Sequence, residues 1–306
     1  MGVVANNPKV YELVASSVQV EKLATGFTFT EGPIWHPDGY LLFSDMPGDV
    51  RRKWSEAGGI VEVMRPANKC NGMTLDADLR LIVCEHWTSR VVRAILNADG
   101  TEASRETLAS HYGGKELNSP NDVVVASDGS IYFSDPTYGR MDVFGNPREQ
   151  QLDFQGVYRI PAGGGDVQLL ADDFTQPNGL CFSPDEKTLY VNDSGVLHIR
   201  RFDVADDGTL SGGEVILDGI GSPDDFEAGI CDGMKCDEQG TIWVTGPGGV
   251  WIVAPDGEHL GTVEVPEHTG NLTWGGPSWD QLYVPSSTSL YRFQAKVAGN
   301  RLAYMR

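Results

Sequence analysis

Asn121-Asp122-Val123-Val124-Val125-Ala126-Ser127-Asp128-Gly129-Ser130-Ile131-Tyr132-Phe133-Ser134-Asp135 is the stretch on which the fold turns. It reads as a polar opening, a short apolar strand, a tight turn at Ser127-Asp128-Gly129, and a second apolar strand ending on a polar pair. The same unit recurs. Glu31-Gly32-Pro33 leads into Ile34-Trp35, turns at Pro37-Asp38-Gly39 and returns as Tyr40 to Asp45. Asn71-Gly72 leads on to Leu81 through Glu85, Asn178-Gly179 to Leu189 through Asp193, and Asp232-Gly233 to Ile242 through Gly246. A degenerate last copy opens at Asn271 and ends at Ser286. Copies recur about every 40 to 57 residues, the length of a four-stranded propeller blade.

Outer strands fill the intervals, for example Val91 to Ile95, Gly156 to Ile160 and Gly249 to Val253. They are β-branched and aromatic, and no segment carries a convincing helical period. The chain has 37 glycines in 306 residues, roughly 12% against a usual share of about 7%, as many tight turns require. The fold expected is all-β: a single six-bladed β-propeller with four antiparallel strands per blade. Residues 1–16 are set apart as an N-terminal extension and 17–306 as the propeller. The strand Val18 to Leu23 has no local partner and is expected to close the ring beside Leu290 to Phe293, since an open strand edge is a liability.

With a formal net charge of −20, the surface repels phosphate backbones and anionic lipid, which argues against nucleic-acid and membrane partners. The five cysteines lie mostly in apolar runs, as buried reduced thiols do. The N-terminus lacks the basic and apolar regions of a secretory signal, and Asn6 stands where myristoylation wants Ser or Thr. A cytoplasmic protein is expected. There is no Gly-x-Ser-x-Gly elbow, and Gly163-Gly164-Gly165 runs into Asp166 and reads as a turn.

The residue opening each inner strand is Glu31, Asn71, Asn121, Asn178, Asp232 and Asn271. In a propeller these positions meet at one mouth of the central channel. Converging carboxylates repel one another unless a cation lies between them. An all-oxygen set suits a hard divalent ion, Ca²⁺ first, with Mn²⁺ and Mg²⁺ next, and Zn²⁺ or iron as further alternatives. The competing reading makes Asn-Gly and Asp-Gly ordinary turn dipeptides.

The phrases Glu31-Gly32-Pro33, Ser119-Pro120-Asn121-Asp122, Phe133-Ser134-Asp135-Pro136, Gln176-Pro177-Asn178-Gly179 and Asp232-Gly233-Met234 resemble the gluconolactonase branch of the senescence-marker-protein (regucalcin) family. Ala67 to His86 and Asn271 to Gly276 extend the resemblance over nearly all the chain after residue 20. It implies a divalent-metal lactonase that opens a sugar-type lactone, such as a gluconolactone, to the hydroxy acid. It implies Glu31, Asn178 and Asp232 as metal ligands, and Asn121 as a ligand or substrate contact. Animal regucalcins carry Arg where this chain has Ser119, so the contacts of that Arg are not carried over. Asp232 is the expected general base, with His86 as a second catalytic candidate. Asn71, Asn121, Asp135 and Tyr138 are expected to contact substrate. Asp45 and Asp193, at equivalent strand ends, read as hydrogen-bonding supports of their blades. Two other readings remain: a phosphotriesterase of the diisopropylfluorophosphatase type, or a non-catalytic binding propeller plugged by its ion.

Overall fold

The computed structural model describes residues 2–222 and 224–306. Its strands form the six antiparallel blades that the repeat leads one to expect. Blade one comprises Thr30–His36, Tyr40–Asp45, Val50–Ser55 and Gly59–Met64. Blades two to five start on the inner strands Cys70–Leu75, Val123–Val125, Pro177–Phe182 and Met234–Cys236, and three further strands follow outward in chain order. Blade six runs Thr273–Gly275, Gln281–Ser286 and Ser289–Gln294. Its outer strand comes from the other end of the chain. Glu21–Thr25 pairs antiparallel with Ser289–Gln294, Glu21 opposite Arg292 and Thr25 opposite Ser289. The ring is closed as expected, a few residues further along than Val18 to Leu23.

The first residues are built into the outside of the ring. Val3–Ala5 adds a fifth strand to blade five along His259–Glu264. The short helix Val10–Leu13 then buries Val10. Among the described residues no helix is long and apolar enough to cross a membrane.

Inner and second strands lie between two neighbouring blades, so Tyr40–Asp45 and Leu81–Glu85 are buried along their whole length. That is why they read as continuous apolar runs rather than alternating ones. Aromatic side chains fill the wedges between blades. Trp243 meets Trp274 edge-on at 5.2 Å, and Trp35 stacks on Tyr283 at 5.0 Å across the closure. Each such burial is worth about 1.5–3 kcal/mol in transfer free energy. Both indole N–H groups of the first pair are satisfied, by Asp237 and by the Cys236 carbonyl. All five cysteines are free and buried.

A repeated aspartate frames the ring. Asp45, at the end of a second strand, accepts the backbone N–H of Thr28 at 3.0 Å. Asp193 accepts those of Thr175 and Gln176 at 2.6 and 2.9 Å. Each carboxylate thereby fixes the segment that leads into its blade's inner strand.

Candidate functional site

All inner strands begin at the same end of the channel. There Glu31, Asn71, Asn121, Asn178 and Asp232 line one cavity of about 40 Å³ with His86 and Tyr138. Asn271 adjoins it, its Nδ2 donating to Glu31 Oε2 at 2.9 Å. The glycines that follow these residues make the convergence possible. A Cβ on Gly32 would lie 1.8 Å from the Asn71 carbonyl oxygen, and one on Gly179 would lie 2.1 Å from that of Asp232. A Cβ on Gly233 would fall 2.1 Å from the Asn271 side chain. Each glycine is thus the place where one blade's inner strand touches the opening residue of the next. Of these, only Gly32 has a positive φ, at 50°. Close approach, rather than turn geometry, explains the Asx-Gly phrases.

Glu31 and Asp232 are the two carboxyls of the ring, and both are pushed up. Burial is the main cause for each, followed for Asp232 by the Glu31 and Asp122 charges. For Glu31, hydrogen bonds from Asn271 and the Gly32 N–H oppose the burial. Two buried carboxyls within reach of one another share a proton or a cation. The amides fit a cation. Asn178 donates its Nδ2 to Ser194 Oγ at 2.9 Å, and its buried Oδ1 has no partner. Asn71 Oδ1 is likewise buried and unpartnered. Among the described residues no three His, Cys, Asp or Glu side chains gather as a metal set. A cation here therefore depends on asparagine oxygens beside the two carboxylates, a donor set for a hard ion.

Asp122 and Lys235 lie outside the cavity lining but close enough for their charges to act on Glu31, and they were not singled out from the sequence as site residues. Lys235 Nζ lies 3.4 Å from Asp122 Oδ2, and its charge lowers the Glu31 pKa. Asp122 stands where four of the other five blades have glycine, and that irregularity was the available signal.

His86 is fully buried. Its Nε2 is 3.2 Å from Asn71 Nδ2 and its Nδ1 is 3.1 Å from the Phe144 carbonyl oxygen. Burial lowers its pKa to about 4, leaving a neutral ring. The carbonyl takes the Nδ1 proton, so Nε2 accepts from Asn71. His86 thus joins the ring of oxygens to the loop above it.

Asp135 does not reach the cavity. Its two oxygens accept the backbone N–H groups of Asn118 and Ser119 at 2.8 and 2.7 Å, and it is wholly buried. The expectation that it contacts substrate is corrected: like Asp45 and Asp193, it belongs to the frame. Ser119 is also occupied, donating to the Pro136 carbonyl at 2.5 Å and accepting the Gly139 N–H at 2.9 Å. Through these bonds it pins the turn Tyr138–Arg140, which carries Tyr138 over the cavity.

Above the oxygens the walls are apolar. Phe29, Met46, Phe144, Phe226 and Ile230 complete the lining. Phe144 packs edge-on against Phe29 at 5.5 Å, Phe29 against His268 at 5.8 Å, and His268 against Phe226 at 4.8 Å. These residues come from loops that follow no repeat, so the sequence periodicity could not reveal them.

A family model described as the SMP-30/gluconolactonase/LRE-like region matches residues 29–288. A gluconolactonase of Zymomonas mobilis is 30% identical, over 96% of this chain and 86% of its own length. A pentonolactonase of Haloferax volcanii is 26% identical, over 84% and 81%. Among solved structures, a gluconolactonase of Xanthomonas campestris superposes with a TM-score of 0.86 at 31% identity, covering 96% of this chain and 95% of its own.

Proposed function

We propose, since the chain belongs to the SMP-30/gluconolactonase/LRE-like family, that it is a divalent-cation-dependent lactonase opening a sugar-type lactone, such as a gluconolactone, to its hydroxy acid. One observation carries this reading. Glu31 and Asp232, raised together by burial, share a single cavity with the unpartnered amide oxygen of Asn178. Glu31, Asn178, Asp232 and Asn121 would hold the cation, Ca²⁺ being the best match for such oxygens. When bound, the cation polarises a carbonyl and lowers the pKa of water.

The chain's own groups do the rest. Asp232 accepts the proton of the attacking water as general base. The water oxygen bonds to the acyl carbon, the ring C–O bond breaks, and the proton ends on the released alkoxide. Asn71 and Asn121 orient the lactone at the floor of the site, and Tyr138 covers it. Neutral His86 holds the Asn71 amide by accepting its N–H. The free, buried cysteines suit a reducing compartment, and we place the enzyme in the cytoplasm.

The test is acid release from a panel of aldonolactones by chelated enzyme, reconstituted separately with Ca²⁺, Mn²⁺, Mg²⁺ or Zn²⁺. Chelation should abolish turnover and lower the melting temperature. A cation at about 100 times its Kd should return about 2.7 kcal/mol of stability. Full activity after chelation, or hydrolysis of aryl phosphotriesters with no lactone opened, would overturn the reading.

A further inference from the structure

The cavity over the oxygens, about 40 Å³, holds little more than an ion and a few waters, each of which needs at least about 10–15 Å³. A lactone must therefore extend elsewhere. A second cavity of about 340 Å³ shares Tyr138, Phe144, Phe226 and Ile230 with the first and continues from it between the loops of blades three, four and five. That volume lies in the range of small-molecule sites, about 300–1,000 Å³.

The chemistry of this annex is one-sided. Met141 and Leu197 join the four shared residues in its lining. Its side-chain polar groups are the hydroxyls of Tyr138, Ser194 and Ser222. Ser194 is already engaged, donating to the Cys231 carbonyl at 2.6 Å and accepting from Asn178. A polyhydroxylated substituent buried here would leave most of its hydroxyls without partners, each a penalty rather than a gain. The same end of the ring exposes further apolar side chains. Trp87, Met141, Val143, Val196 and Phe226 are five of the ten large apolar side chains left exposed among the described residues. All five lie in segments at the end of the ring where the inner strands begin.

We propose that the annex is a substrate subsite for an apolar group, and that the preferred lactones carry an alkyl or aryl substituent beside the ring. The inference rests on the lactonase reading and revises its substrate: the ring opening stands, and the preferred lactone is one that bears an apolar group rather than a bare aldonolactone. The loop forming one wall is held firmly enough to define a pocket. Arg140 donates to the carbonyls of Asn118 and Leu117 at 2.8 and 2.7 Å, Lys69 donates to that of Val143 at 2.9 Å, and the Phe144 carbonyl accepts from His86.

The experiment uses cation-loaded enzyme and δ-lactones with unbranched alkyl substituents of increasing length, alongside δ-gluconolactone. Values of kcat/KM should rise about threefold to fourfold per added methylene until the annex is full. Met141→Glu should flatten that rise. In parallel, calorimetry of the matching lactams, which are not hydrolysed, should show Kd tightening along the same series. A flat or falling series with gluconolactone turned over, or a slope untouched by Met141→Glu, overturns the subsite and leaves the lactonase reading standing. Lactams that tighten with chain length while no lactone is opened would keep the subsite and remove the reaction.

Discussion

Asp232 and Asp135 are both buried aspartates in the repeated unit, and their surroundings give them different work. Asp135 meets two backbone donors, and burial still raises its pKa to about 7. Asp232 faces Glu31, Asp122 and Asn178 across the channel mouth. Asp232→Asn should leave the fold intact and lower kcat/KM by about 10²–10⁴-fold, the usual worth of a general base. Asp135→Asn presents an amide N–H₂ to a backbone N–H and should destabilise by about 1–3 kcal/mol. The folded fraction of that variant should keep its turnover. Thermal melts and steady-state kinetics on both variants separate site from frame; equal kinetic losses would return Asp135 to the site.

At the scale of the strand, the glycine that follows four of the six opening residues sets how closely two blades approach. Gly179→Ala would drive a methyl group to 2.1 Å from the Asp232 carbonyl oxygen and 2.9 Å from Asn192 Nδ2. Asn192 Nδ2 itself donates to that carbonyl at 2.6 Å. The inner strand of blade five must then move outward and take Asp232 with it. The variant should lose about 1–3 kcal/mol of stability, the range for overpacking. It should also bind the cation at least tenfold more weakly. Calorimetric titration checks the second point; unchanged affinity would mean that the close approach does not position Asp232. The competing reading of these dipeptides as turns was natural from sequence, because neighbours of the next blade are invisible along a single strand.

Over the whole ring, closure joins residues from opposite ends of the chain, and Glu267 is the fastening. Its carboxylate accepts from Ser289 Oγ at 2.5 Å, Tyr291 Oη at 2.7 Å, the Thr288 N–H at 3.0 Å and Lys22 at 3.2 Å. Burial alone would raise its pKa, but the hydrogen bonds from Ser289, Tyr291 and Thr288 outweigh it and bring the value to about 2. A carboxylate depressed in this way contributes stability above the unfolded value near 4.5, and that contribution is lost as pH falls through about 2. Glu267→Gln should therefore lower the melting temperature at pH 7 and flatten its decline between about pH 5 and pH 2. A variant whose acid limb matches the wild type would show that closure does not depend on this residue.

The sequence by itself determined the blades, their number and the closing strand, because short-range pattern and a repeat of blade length encode them directly. It also named the oxygen ring, since the same position opens every copy. Tertiary structure alone decided what surrounds that ring. Lys235 meets Asp122 across 113 positions of chain, Ser119 turns to pin a loop, and Asp135 faces backbone rather than cavity. The aromatic arc and the apolar annex come from loops that share no period, and only the closed ring sets them beside the carboxylates. The reason is physical: a strand's pattern records which of its faces is buried, while a site is made of contacts between blades, which no stretch of sequence spells out.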